Sequence, residues 1–131
     1  MIRPRVLLAD DHPGFLEAET ALLQTQFEVV GTAGDGATLL SEACRLRPDV
    51  IVTDITMPVL NGIEAVHQLR KFALSPKVVF LTIDTKEQFV EACLAEGAMG
   101  YVVKSQMKAH LIPAIRSALS GEPYISSAIS K

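Results

Sequence analysis

No apolar stretch in this chain approaches the roughly 18 residues that a membrane-spanning helix requires. Its hydrophobic residues come in short runs, so no membrane partner is expected. Cysteine is scarce: Cys44 and Cys93 are the only two, and no CxxC or Cys/His spacing suggests a zinc site. Both fall in helical, partly apolar patterns and are expected as free thiols. Basic charge is also short, with 12 Lys and Arg against 15 Asp and Glu and a net charge of -3. The cations are scattered and form no stripe to neutralise phosphates, which argues against direct nucleic-acid binding by these residues. The opening MIRPRVLLAD lacks the longer apolar region and small-residue cleavage site of a signal peptide, and an acidic pair follows at once. A cytoplasmic protein is the expectation. Internal repeats and low-complexity segments are absent too.

What is present suits one ordinary domain. The 131 residues are 49% hydrophobic with a mean hydropathy of +0.30, enough for a sizeable core but too few for two domains. Five apolar runs read as strands: Val6 to Ala9, Phe27 to Thr32, Val50 to Thr53, Val78 to Thr82 and Met99 to Val103. Four are nearly continuous and rich in β-branched residues, as expected where both faces of a parallel strand are covered. The run from Phe27 includes Glu28 and looks like an edge. Helical patterns alternate with these strands. Phe15, Ala18 and Leu22 form one apolar stripe, and Ala37, Leu40 and Cys44 a second. Ile63 and Val66 begin a third. Phe89, Val90, Cys93 and Leu94 mark a fourth helix that Gly97 ends, and Leu111, Ile115, Ala118 and Leu119 a fifth that Gly121 closes. Pro113 should kink this last helix or force a late start. Strand and helix alternating five times predicts an α/β fold, an open (βα)5 parallel sheet with helices on both faces.

Four features fall where strands end. Asp10 and Asp11 follow strand one, Asp54 follows strand three, Thr82 ends strand four, and Lys104 follows strand five. Ligands of open α/β sheets bind at these carboxyl ends, and in the flavodoxin-like order 2-1-3-4-5 strands one and three are neighbours. The three Asp side chains would then converge. Two carboxylates ~5 Å apart repel by about 3 kcal/mol at an effective dielectric near 20, so the cluster needs a countercharge. A hard divalent cation with oxygen ligands supplies it, and Mg2+ keeps water positions that phosphate oxygens can take. A carboxylate can then attack phosphorus to form an aspartyl phosphate, with Lys104 and the Thr82 hydroxyl placed to contact the transferred oxygens. Each residue alone has a bland reading: Asp10 and Asp11 as a helix cap, Asp54 as a turn residue, Lys104 as surface charge. Thr82 reads as a β-branched strand residue and Tyr101 as a core or edge aromatic. Their joint placement at four strand ends is what points to a site.

The chain resembles a response-regulator receiver domain over essentially its whole length, and is most similar to the NarL/FixJ type that precedes a LuxR-type helix-turn-helix domain. VTDITMPVLNGIEAV matches the phosphoacceptor loop, with Pro58 and Gly62 in the expected places. VLLADDHPGF, TAGDGATLL, GAMGYVVK and AIRSALSGEPYIS match the other blocks. The resemblance implies Asp54 as phosphoacceptor and Mg2+ bound by Asp11 directly, by Asp10 largely through water, by Asp54, and by the Thr56 backbone carbonyl. It implies Thr82 and Lys104 on the phosphoryl group, and Thr82 with Tyr101 as the conformational switch. Residues 1–121 would form the receiver and 122–131 the start of a linker toward an output domain. A histidine kinase would donate the phosphoryl group, a phosphorylation-dependent homodimer would form, and DNA would be bound only through the output domain. Three positions depart from the family pattern: Ile83, where a small residue is usual; Ser105, where many relatives have Pro; and Pro113.

Two other functions compete. A small phosphatase of the haloacid-dehalogenase kind also combines a nucleophilic Asp, a Thr and a Lys with Mg2+. It needs DxD after strand one, however, and His12 occupies the second acidic position. A receiver fold kept only for protein interaction would not need the full set of site residues. His12, beside the acid pair, is read as a helix-entry residue, with tuning of the site as the weaker alternative; Asp35 is read as a helix cap, and His67 and His110 as solvated helix positions.

Overall fold

The computed structural model describes residues 3–72, 75–83 and 86–126. Strands and helices alternate as the periodicity predicts: β1 Arg5–Ala9, α1 Pro13–Leu23, β2 Glu28–Ala33, α2 Gly36–Leu46, β3 Val50–Thr53, α3 Gly62–Lys71, β4 Lys77–Thr82, α4 Glu87–Ala95, β5 Gly100–Val103, a 3-10 turn Lys104–Gln106, α5 Met107–Leu119 and β6 Tyr124–Ile125. The sheet order is β2-β1-β3-β4-β5-β6, with every pairing parallel. This is the flavodoxin-like arrangement, with β2 at an edge as its mixed composition predicted. The sixth strand is an addition to the predicted five.

Side-chain alternation along the strands divides the core into two layers. Leu7, Ile51, Phe80 and Tyr101 face α2, α3 and α4, whereas Val6, Leu8, Val52, Leu81 and Val102 face α1 and α5. Each fully buried Leu or Val contributes about 1.5–3 kcal/mol relative to an exposed one. The helices start on local chemistry. The Asp35 carboxylate accepts from Thr38 N at 2.7 Å, and Asn61 Oδ1 accepts from Glu64 N at 2.8 Å; each such cap is worth about 1 kcal/mol. Gly97 (φ 84°) and Gly121 (φ 80°) take the left-handed turn just past α4 and α5, where a side chain would be strained.

Some sequence expectations shift. Ala18 and Ala37 are exposed, and the inward positions are Glu19 and Leu23 on α1 and Leu39 and Ala43 on α2. The stripes are therefore rotated by about one residue from the predicted ones. Pro113 does not force a late start, because α5 begins at Met107 and runs through it. The proline is exposed; it cannot make the N–H bond to the Ala109 carbonyl, and its ring crowds that carbonyl. Cys44 and Cys93 are free, and burial pushes the Cys93 thiol up to about 12. The segment after Gly121 does not leave the sheet at once, since Tyr124 and Ile125 pair with β5. The open polar edge of β5 offers a partner to two β-prone residues, a run too short to show periodicity. Residues 127–131 of the predicted linker lie outside the described residues. No described helix is long and apolar enough to cross a membrane.

Candidate functional site

Strand register builds the site. Ala9 of β1 is level with Thr53 of β3, and Asp54 N donates to Ala9 O at 3.0 Å. Asp10 and Asp54 therefore leave adjacent strands side by side. Both are buried, at 1% and 6% exposure. On the far side of β4, Thr82 is level with Val103 of β5, so Lys104 leaves the sheet at the same height.

The Lys104 ammonium closes the cluster. Its Nζ lies 2.6 Å from Asp10 Oδ2 and 2.9 Å from Asp54 Oδ2, with the Phe15 ring 4.4 Å away on α1. Burial works against this charge, but the bonds to the two carboxylates outweigh it and hold the group above its ordinary value,. The remaining oxygens are fixed by backbone: Asp54 Oδ1 accepts from Ile55 N at 2.7 Å, and Asp10 Oδ1 accepts from His12 N at 3.0 Å.

The loop after β3 is shaped by close approach. A Cβ on Gly62 would lie 2.0 Å from the Asp54 carbonyl oxygen, so only glycine lets the start of α3 lie against the end of β3. Gly62 N also donates to Ile55 O at 2.7 Å. Val59 carries φ 71° at the tip of this loop.

Asp10, Asp54 and Lys104 thus meet directly. Asp11 is more exposed and joins through His12, whose Nδ1 lies 3.0 Å from Asp11 Oδ1 and 3.2 Å from Asp10 Oδ1. His12 does enter the helix, as the residue before α1, but it also touches both acids. Thr56 is exposed at the rim. Thr82 is buried at the end of β4, and Tyr101 is buried in the core beneath α2–α4. Ile83 is 79% exposed.

Glu19 is the residue that sequence reasoning missed. It is 1% exposed on the inward face of α1. Desolvation first, then the Asp10 charge, raises its carboxyl to about 8, with Lys104 opposing and Asp54 reinforcing the shift. Its signal was its place, four residues after Phe15 and four before Leu23. His110 is also not simply solvated: it is half-buried and bonded to the Tyr124 hydroxyl. His67 is 54% exposed but lies 3.0 Å from Glu96 Oε1.

The family model for the response regulator receiver domain matches residues 6–116. The chain belongs to that family. It is 37% identical over 96% of its length to the transcriptional regulatory protein LiaR of Bacillus subtilis, covering 61% of that protein. To the nitrate/nitrite response regulator NarL of Escherichia coli it is 34% identical over 95% of its length and 59% of the relative's. The crystal structure of a LuxR-family two-component response regulator from an Aurantimonas species superposes with a TM-score of 0.92 at 31% identity, covering 97% of this chain and 92% of that one. The receiver domain is therefore of the NarL/LuxR type. It spans about three fifths of the length of the curated relatives it matches.

The donor set suits a hard cation. Among the described residues, Asp10, Asp11 and His12 can bring ligand atoms within 4.8 Å of one another. Carboxylate oxygens on Asp10, Asp11 and Asp54, at strand ends open to water on the Asp11 side, are the chemistry that Mg2+ takes. Lys104 supplies the countercharge that these buried acids require.

Proposed function

We propose that this receiver domain accepts a phosphoryl group on Asp54 from a histidine kinase, with Mg2+ held by Asp10, Asp11, Asp54 and the Thr56 carbonyl, and controls an output by changing shape. The observation that carries the reading is the Lys104 ammonium shared between Asp10 and Asp54 at 2.6 and 2.9 Å. A cation is fixed where a transferred phosphoryl group would bring charge.

Asp54 Oδ1 is tied to the Ile55 N–H, and Oδ2 attacks phosphorus as it leaves the Lys104 ammonium that holds it at 2.9 Å. The new O–P bond forms as the P–N bond of a phosphohistidine breaks; its electron pair goes to the imidazole, which takes up a proton. Mg2+ held by these acids would supply positive charge to a transferred phosphoryl group. Lys104 exchanges a carboxylate oxygen for a phosphoryl oxygen, and the Thr82 hydroxyl turns to donate to another. Tyr101 responds to that movement, and the phosphate group, which carries about -1.5 to -2 where the carboxylate carried -1, biases a two-state surface. Residues 1–121 act as the receiver and those from 122 lead toward an output domain.

LiaR is named a transcriptional regulatory protein, which supports an output in transcription control; to this we add a DNA-binding domain C-terminal to this segment, a phosphorylation-dependent homodimer and a cytoplasmic setting. Incubation with acetyl phosphate and Mg2+ should add one acid-stable, base-labile phosphate per chain. Asp54→Ala should abolish it and Asp11→Ala should slow it. Full-rate labelling of Asp54→Ala would overturn the assignment.

A further inference from the structure

The chain leaves α5 at Gly121, turns back, and adds β6 to the outer edge of the sheet, with Tyr124 level with Gly100 and Ile125 level with Tyr101. Tyr124 N donates to Met99 O at 2.8 Å, and Ser126 N donates to Tyr101 O at 2.8 Å. Side chains fasten the same segment: the Tyr124 hydroxyl bonds His110 Nδ1 on α5, and Ser126 Oγ donates to Gln106 Oε1. Ser126 is only 2% exposed. Two anchors of this short strand are therefore tied to the site. Gln106 ends the 3-10 turn that Lys104 begins, and Lys104 holds Asp10 and Asp54. Tyr101 lies in β5, the strand that leads directly into Lys104.

We propose that the exit segment, β6 (Tyr124–Ile125) with Ser126, is docked on β5 while Lys104 bridges Asp10 and Asp54, and is released when that bridge opens. This rests on the phosphorylation reading above and assigns the chain's own exit segment as the element that carries the change outward. The coupling is mechanical. A phosphoryl group on Asp54 draws Lys104 Nζ off the carboxylates and shifts the single turn to Gln106, so the Ser126 bond loses its geometry. Any movement of Tyr101 disturbs the acceptor of the Ser126 N–H at the same time. A two-residue edge strand held at so few points belongs to the low-stability end of a fold, where local opening is readily biased. The segment freed is the one that leads out of the domain.

The test is amide hydrogen exchange by NMR on the full chain, with phosphate content read in parallel by intact mass. After acetyl phosphate and Mg2+, the Tyr124 and Ser126 amides should exchange at least about tenfold faster, the factor that 1.4 kcal/mol of differential stability represents, while Leu7 and Leu8 in β1 stay unchanged. Lys104→Met, which removes the bridge without any phosphodonor, should speed the same two amides. Full phosphorylation with unchanged or slower exchange at both would overturn this inference and leave the phosphorylation reading standing. Absence of phosphate would overturn that reading. The Lys104→Met protein then decides the coupling alone: faster exchange upholds the link from Lys104 to the strand, and unchanged exchange overturns it.

Discussion

Glu19 should make the stability of this domain fall as pH rises, and its replacement should remove the fall. The carboxyl is buried on α1 and titrates at about 8 in the folded protein against an ordinary 4.5. Between those values the folded state holds a proton that the unfolded chain has released. The stability Glu19 allows is therefore full below pH 4.5 and is lost progressively up to pH 8, after which the loss is constant. Each tenfold separation in proton affinity is worth about 1.36 kcal/mol, so the total reaches about 5 kcal/mol as an upper bound, since local opening that admits water would relieve part of it. At pH 7 about 3 kcal/mol should already be lost. Glu19→Gln keeps the shape and cannot ionise, and Glu19→Leu adds apolar burial as well. Urea unfolding of the three proteins in metal-free buffer at pH 5, 7 and 9 isolates Glu19 together with the Asp10, Asp54 and Lys104 charges that act on it, because titrating groups not coupled to it cancel in the difference. The advantage of Glu19→Gln over the native chain should grow by about 1.4 kcal/mol per pH unit up to pH 8. A difference that does not change with pH would show that Glu19 ionises as if in water, and would refute the reasoning.

Ile83, stiff at χ1 and 79% exposed beside Thr82, should narrow the approach to Asp54. Ile83→Ala should speed both labelling by a small phosphodonor and hydrolysis of the acyl phosphate, by as much as ~100-fold, with the Mg2+ titration unchanged; equal rates would reduce Ile83 to a packing substitution. Val59, a β-branched residue at φ 71° and 84% exposed, stores backbone strain, so Val59→Gly should raise stability by about 1 kcal/mol in thermal unfolding, and a loss would contradict the strain. The isolated 131-residue chain, with its net charge of -3, should show no specific DNA binding; a nanomolar complex at physiological salt would overturn this.

Much of this molecule was legible in its sequence because parallel strands declare themselves as continuous β-branched runs. The five predicted strands lie within a residue or two of the observed ones, and β2, with Glu28 in its run, is indeed an edge. The convergence of Asp10 and Asp54 followed from the register of neighbouring strands, and Lys104 from its place one residue beyond β5. What escaped notice did so for physical reasons. Hydrophobic periodicity ranks α1 positions by side-chain type, so it chose Ala18 over Glu19 for the core, whereas a carboxyl can be buried there by giving up its charge. The short β6 has no period to detect, since it is held by backbone bonds and by Ser126 and Tyr124 reaching Gln106 and His110. His12 was legible as a neighbour of the acid pair, but its ranking as a helix-entry residue first was set by position alone, whereas a local turn brings Nδ1 onto both acids.

Reductive trapping locates the phosphoryl group that Asp54 is proposed to carry. Borohydride converts an aspartyl phosphate to homoserine, which peptide mass spectrometry locates after labelling with acetyl phosphate and Mg2+. Homoserine is expected at position 54 and nowhere else, absent without Mg2+ and absent from unlabelled protein. Homoserine at Asp10, Asp11 or any other Asp, or none in chains whose intact mass shows a phosphate, would contradict it.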